Sequence, residues 1–270
     1  AEENGRVNTG MKFQMEQEFS ALDAQAIAQA AVERALTGLS AQQPASATCA
    51  IAFENRAAAS LLGVFSSIFS AEAAQKGLSL LKGREGEMIA SEAVTIVDDP
   101  HRPHSAASQS FDGEGVPTRK KNVVEKGVLQ TLLHNLTTAA KQGVTTTGNA
   151  ARGYASAVGV APTNFYIAPS QESVEAMLAR MGEGFLITEV SGLHAGANQI
   201  SGDFSLLAKG FAVRGGQKAE PVEQITVAGN FFAVLKDVVA VADDLAFGLP
   251  GGSLVGSPTI WVKALSVAGK

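Results

Sequence analysis

The chain has 270 residues, enough to bury a sizeable core, and its single cysteine, Cys49, excludes an intrachain disulfide. A net charge of −5 gives a duplex phosphate backbone nothing to attract, which excludes direct nucleic-acid binding as an expectation. Charged residues reach only 17% against about a quarter in typical domains, and 28 glycines accompany them, so neutral, small, turn-rich surface suited to subunit contacts is expected.

Met11, Phe13 and Met15 alternate with Lys12, Gln14 and Glu16, the period-2 pattern of a half-buried strand. Asp23 then caps a predicted helix in which Ile27, Ala31, Ala35 and Leu39 share a face, until Gln42-Gln43-Pro44 ends it. Cys49 to Phe53 reads as a short buried strand. A second helix follows, about Arg56 to Phe69, with Leu61, Phe65, Ile68 and Phe69 on one face and a slim surface of Ala57, Ala58, Ala59, Ser60 and Gly63. The longest uncharged apolar stretch, Ala57 to Ala71, contains four serines and is too short to span a bilayer. No targeting pattern opens the sequence, and with one cysteine a soluble protein of the reducing cytoplasm is expected.

Beyond Pro100 the texture changes to short strands and turns. Val123-Val124 and Val128-Leu129 flank Glu125-Lys126-Gly127 as a predicted hairpin, and Phe211 to Val213 run into Gly215-Gly216 in the same manner. Ser170 is expected to cap a helix through Val174, Met177, Leu178 and Met181, with Gly182 as its stop. Another helix is predicted over Phe231 to Val241. Helices early and hairpins late give an α+β class with a strongly curved antiparallel sheet, barrel- or sandwich-like, with packed helices. A weak boundary lies near Pro100, but a single domain over 1–270 is the expectation.

His101 and His104, behind Asp98 and Asp99, have metal-ligand chemistry, which would make the chain an autonomous metallohydrolase. Pro100 and Pro103 force an extended or turning path, so the two imidazoles need not converge, and a solvated loop is the simpler reading. His134 and His194 read as satisfied structural histidines, Cys49 as inert packing, and Arg119-Lys120-Lys121 as a solvated hairpin face. Glycines beside carboxylates or amides in Phe111 to Val116, Thr145 to Asn149 and Ile200 to Phe204 suit tight turns or a peptide-binding edge.

Seven ordered blocks carry a resemblance: DDP at 98–100, FDGEGVPTRKKNVVEKGVL at 111–129, TTTGNAARG at 145–153, GEGFLITEVSG at 182–192, SGDFSLLAKGFAV at 201–213, VAGNFF at 227–232 and SPTIWVKALSVAG at 257–269. Together they resemble the C-terminal portion of the TldD/PmbA family, first named for modulation of DNA gyrase. The resemblance implies a cytoplasmic metallopeptidase system in which TldD-type and TldE/PmbA-type subunits pair, with a further N-terminal domain upstream of the part seen here.

In that family the TldD type holds its metal through an HExxxH helix and a later cysteine in a glycine-rich segment. The corresponding helix here reads Ala57-Ala58-Ala59-Ser60-Leu61-Leu62-Gly63, and the glycine-rich segment reads Pro250-Gly251-Gly252-Ser253. The resemblance therefore implies a PmbA/TldE-type subunit with no metal of its own, zinc being carried by a TldD-type partner, and unfolded peptide as substrate. Asp112, Glu114, Asn149 and Asp203 are the expected binding residues, at or near the cleft or subunit interface. A self-associating peptide- or ligand-binding protein without hydrolytic activity is the alternative.

Overall fold

The computed structural model describes residues 1–16, 18–249 and 251–270. At the start, β1 (Glu2–Glu3) and β2 (Arg6–Val7) pair around Asn4 and Gly5. The strand predicted over residues 11–16 forms no ladder. Arg34 donates to the Met11 carbonyl at 2.6 Å and Arg56 to the Phe13 carbonyl at 3.2 Å, so two guanidiniums take carbonyls that a neighbouring strand would otherwise bond. α1 (Ala24–Leu39) begins where the Asp23 carboxylate accepts from the Ala26 N–H, as expected of that cap.

β3 (Ala47–Phe53) ends in the buried Ile51, Ala52 and Phe53 and leads into α2 (Asn55–Phe65). The predicted helix to Phe69 is α-helical only to Phe65, after which Ser66–Phe69 tightens into a 3-10 turn. α3 (Ala71–Gln75) is capped by the Ser70 hydroxyl. β4 (Ile96–Asp98) precedes the predicted hairpin, formed by β5 (Lys121–Glu125) and β6 (Val128–Leu129). Its turn puts Lys126 at φ 44° and Gly127 at φ 82°, and a Cβ on Gly127 would sit 2.4 Å from the Ala90 carbonyl oxygen, so only glycine fits.

α4 (Leu136–Gln142) has a capping box of Asn135 and Thr138 and a left-handed Gly143 at its end. β7 (Ala150–Ala151) pairs with β8 (Gly159–Val160), and β9 (Asn164–Ile167) follows. α5 (Val174–Met181) is capped by Ser173, not by the expected Ser170, whose hydroxyl instead accepts from Glu172 N–H and donates to the Val241 carbonyl. β10 (Gly184–Ser191) is followed by α6 (Leu193–Gly196), a single turn. β11 (Asp203–Arg214) and β12 (Gln217–Asn230) form the hairpin predicted at Gly215-Gly216, both glycines at positive φ.

The helix predicted over Phe231 to Val241 is two elements: α7 (Phe231–Lys236) and β13 (Val238–Val241). The β-branched run at its end pairs with β16 (Ile260–Ala268), and tertiary pairing overrides the apparent helical spacing. β14 (Ala246–Phe247) and β15 (Leu254–Ser257) complete the chain before β16.

The curved sheet closes. Strands run in the order β12, β11, β10, β3, β16, and Thr226, Val227 and Ala228 of β12 pair back onto β16, giving a five-stranded barrel with β13 as an appendage. The expectation of an antiparallel sheet needs one amendment, because β10 and β3 run parallel. Along β11, buried Phe204, Leu206 and Ala208 alternate with exposed Asp203, Ser205 and Leu207, the period-2 signature of a sheet with one wet face. A second, six-stranded sheet has the order β14, β15, β9, β4, β5, β6.

Between barrel and second sheet lies α2. It contacts β10 of the barrel on one side and β14 and β15 on the other, with Ala57, Ala58, Ala59, Leu61, Leu62 and Phe65 all buried. The alanines bring both sheets close, and each fully buried Leu or Phe contributes about 1.5–3 kcal/mol. Phe65 stacks on Phe231 with ring centroids 4.5 Å apart. A charged side chain at one of these buried positions would be stranded between two apolar layers.

Candidate functional site

At one end of β4 a buried polar network assembles. Asp98, fully buried, accepts four hydrogen bonds: from the Thr163 N–H (2.7 Å) and hydroxyl (2.8 Å) on Oδ1, and from Lys121 Nζ (2.8 Å) and Asn149 Nδ2 (2.7 Å) on Oδ2. Asn149 is 1% exposed; its Oδ1 accepts from Lys121 Nζ at 3.1 Å and from the Thr147 hydroxyl at 2.8 Å. Lys121 therefore departs from the solvated basic face expected of Arg119-Lys120-Lys121. It opens β5 opposite Asp98 in the ladder, and that register turns its side chain onto the buried carboxylate.

Asp112 joins the same block. Its Oδ1 accepts from the N–H groups of Glu114 and Val116, and its Oδ2 from Ala150 N–H, one residue past Asn149. Glu114 accepts from Leu136 N–H at the first turn of α4. Three of the four expected binding residues thus fall in one hydrogen-bonded block. Asp203 does not join them: it sits on β11, exposed, accepting from Asn230 and Ser201, and those hydrogen bonds hold its carboxyl below the usual value. There it braces Asn230, which caps α7.

Beside the network opens a cavity of about 300 Å³, lined by Ser108, Gln109, Gly113, Ala150, Arg152, Thr163 and the glycine-rich Gly251-Gly252, among others. Most of its lining is alanine, glycine, serine, threonine and proline, with Gln109 and Arg152 as the long side chains. Pro250, which the sequence placed in the glycine-rich segment, lies outside the described residues. The network itself is saturated, so Asp98 and Asn149 offer no free base; they hold the lining residues Thr163 and Ala161 through hydrogen bonds from behind the cavity wall. Thr163 and Lys121 were missed by sequence reasoning, since nothing in either local pattern separates a buried partner from a surface one.

The histidines are scattered. His101 is exposed, its Nε2 3.1 Å from the Thr118 hydroxyl, and His104 is exposed at φ 54°. Asp98 and Asp99, the carboxylates nearest them in sequence, are taken by Lys121 and Lys120. Among the described residues, no three His, Cys, Asp or Glu side chains group as a metal ion would need. His194 is exposed, not structural as expected. His134 is buried but not satisfied as expected: among the described residues its Nδ1 has no hydrogen-bond partner, and burial pushes its pKa below the ordinary value. Burial likewise pushes the Cys49 thiol up, which keeps it unreactive. Among the described residues no helix is long and apolar enough to cross a membrane.

Comparison with known proteins gives consistent results. Residues 46–269 match the family described as the PmbA/TldA metallopeptidase C-terminal domain. Metalloprotease PmbA of Escherichia coli O157:H7 is 30% identical over 246 residues, covering 91% of this chain and 52% of its own length. A PmbA homolog of Haemophilus influenzae is 31% identical over 214 residues, 79% of this chain and 45% of its own. Among solved structures, TldE from Thermococcus kodakarensis superposes with a TM-score of 0.89 at 26% identity, covering 99% of this chain and 61% of that one. A Thermotoga maritima protein solved as a candidate modulator of a DNA gyrase gives 0.86 at 41% identity, covering 94% and 57%. The chain spans about half the length of the curated relatives it matches.

Proposed function

Because this chain belongs to the PmbA/TldD metallopeptidase family, matched by that family's C-terminal domain over residues 46–269, we propose that it is the PmbA/TldE-type subunit of a cytoplasmic peptide-cleaving system. A TldD-type partner supplies the zinc, and this chain helps shape the path of an unfolded or extended peptide.

The observation that carries the reading is the packing of α2 on β15. The resemblance assigns the metal-binding helix to α2 and the later cysteine to the segment just before β15, and these two elements are in contact. Where they meet, a Cβ built on Gly63 would lie 3.9 Å from Val255, an ordinary van der Waals contact. Ala57, Ala58, Ala59, Leu61 and Leu62 offer methyls, and the Ser60 hydroxyl donates back to the Arg56 carbonyl. A zinc ion needs deprotonated nitrogen, sulfur or oxygen ligands, and these residues do not fit one.

For the peptide path, the cavity beside the network is bordered by β7, which pairs with β8 on one side and on the other spends the Ala150 N–H on Asp112 and the Ala150 carbonyl on Gly113 N–H. An extended peptide on this path would therefore meet the short side chains and glycines that line the cavity, which demand no particular sequence. Glu114 is the expected binding residue best suited to a direct test, since it is partly exposed and makes one bond to Leu136.

Elemental analysis of the purified chain, combined with co-purification against a chain bearing HExxxH, tests the assignment. Metal-free protein that associates with such a partner is expected; one tightly held transition ion per copy of this chain would overturn it.

A further inference from the structure

The cavity beside the Asp98–Asn149 network has a single charged residue in its lining. Apart from Arg152, the residues around it are alanine, glycine, proline, serine, threonine and Gln109, with no carboxylate among them. The carboxylates of the adjoining block are already occupied. Asp98 takes four hydrogen bonds, Asp112 takes three from main-chain N–H groups, and Glu114 accepts from Leu136 N–H. Arg152 is exposed, and among the described residues its guanidinium has no hydrogen-bond, ion-pair or ring partner.

The root of that side chain is nevertheless fixed. Arg152 follows β7 directly, and β7 is held by Asp112, which accepts from Ala150 N–H at 3.0 Å, and by Gly113, whose N–H donates to the Ala150 carbonyl at 2.9 Å. Gly113 also makes room for the arginine: a Cβ there would lie 3.1 Å from the Arg152 Cβ and 3.0 Å from the Ala150 carbonyl oxygen. Beyond Arg152 the chain turns at once, Gly153 N–H donating to the Ser156 hydroxyl at 2.9 Å. Gln109 is held in a similar way. Its N–H donates to the Pro100 carbonyl and its carbonyl accepts from the Thr118 hydroxyl, while its side-chain amide has no partner among the described residues.

We propose that Arg152 makes this cavity selective for a peptide carboxylate, its guanidinium pairing with the two oxygens and the Gln109 amide bonding the adjacent peptide group. The peptide identity rests on the function proposed above; the carboxylate chemistry does not. A guanidinium offers N–H donors in a planar fork that matches a carboxylate, and it stays charged at any working pH. Set in small neutral walls, with no acid of the protein to neutralise it, that fork is a recognition point for an anion. A volume of about 300 Å³ stands at the lower end of small-ligand pockets and suits a peptide end or one side chain. A C-terminal carboxylate and that of an Asp or Glu side chain present the same two oxygens.

Isothermal titration of the 270-residue chain with four probes tests the proposal: N-acetyl-Ala-Ala as the free acid, the same dipeptide as its amide, N-acetyl-Ala-Glu-amide, and acetate. One of the two peptide acids should bind at least tenfold more tightly than the plain amide and than acetate, and the tighter acid names the source of the carboxylate. Arg152→Gln should weaken that acid at least tenfold, and Arg152→Glu should turn the preference toward the amide. Gln109→Ala should weaken the acid severalfold and leave acetate unchanged. Equal binding of acids and amide, no binding of either acid, acetate as tight as the better acid, or an undiminished preference in Arg152→Gln and Arg152→Glu with the unfolding midpoint intact would each overturn it; an unchanged Gln109→Ala would remove the part given to Gln109. These probes need neither a partner nor hydrolysis. A chain that prefers the acid but never supports cleavage would fail the subunit reading and leave this one standing, and partner-dependent cleavage in a chain indifferent to the acid would do the reverse.

Discussion

Asp98 and Lys121 form a buried ion pair whose remaining hydrogen-bonding capacity is taken up by Asn149 and Thr163. Burying two charges is expensive, and what makes it tolerable is that Asp98 accepts four bonds. Removing one partner leaves the other charge uncompensated. Lys121→Met is therefore expected to lower unfolding free energy by about 3–5 kcal/mol, read by urea denaturation. A loss below about 1 kcal/mol would mean that water reaches the pair. Converting both Asp98 and Lys121 to neutral residues should cost less than the sum of the single changes.

His134 supplies a pH signature. Burial holds its folded-state pKa below the ordinary 6.5, so the unfolded chain binds the proton first as pH falls. Stability credited to neutral His134 is full above about 6.5, declines below it, and levels off once pH passes the folded-state pKa. A His134→Leu chain should show a shallower fall in stability between pH 7 and 5. The slope is the readout, since the substitution also changes packing. Identical slopes in the two chains would remove His134 from the account. From the sequence, Asp112 and Asn149 were legible as special because glycines flank them; Lys121 was not, because a strand's register decides which of three adjacent cations turns inward.

At the scale of elements, α2 and β11 carry the architecture. Gly210 sits where a Cβ would lie 2.0 Å from the Leu186 carbonyl oxygen across the β10–β11 ladder. Gly210→Ala should thus cost about 1–3 kcal/mol or more, as overpacking does. Gly63 is the contrast: a methyl there meets Val255 at ordinary distance, and relief of glycine's helical penalty should make Gly63→Ala neutral or stabilising by up to about 1 kcal/mol. Thermal unfolding of the two variants decides both. A destabilised Gly63→Ala would show that the α2–β15 contact is tighter than its geometry implies. Where local patterns and tertiary partners agree, as at the two glycine turns and the Asp23 cap, the elements could be read directly. They failed where a distant partner decided: residues 11–16 meet guanidiniums instead of a strand, and Val238–Val241 is drawn into β16.

For the whole molecule, a closed barrel and a six-stranded sheet clamp one helix between them. The curvature was legible from hairpin density. Barrel closure was not, because it depends on the three-residue pairing of β12 with β16, which no local signal marks. The clamped helix presents alanines and leucines where the resemblance assigns metal-binding residues to the catalytic relatives, and this difference in chemistry is the ground for assigning hydrolysis to a partner. The most direct measurement is a peptidase assay on an unstructured peptide with this chain alone, with a TldD-type partner, and with both plus a chelator. No cleavage is expected from this chain alone, cleavage with the partner, and loss of it on chelation; chelator-sensitive cleavage by this chain alone would contradict the partner assignment.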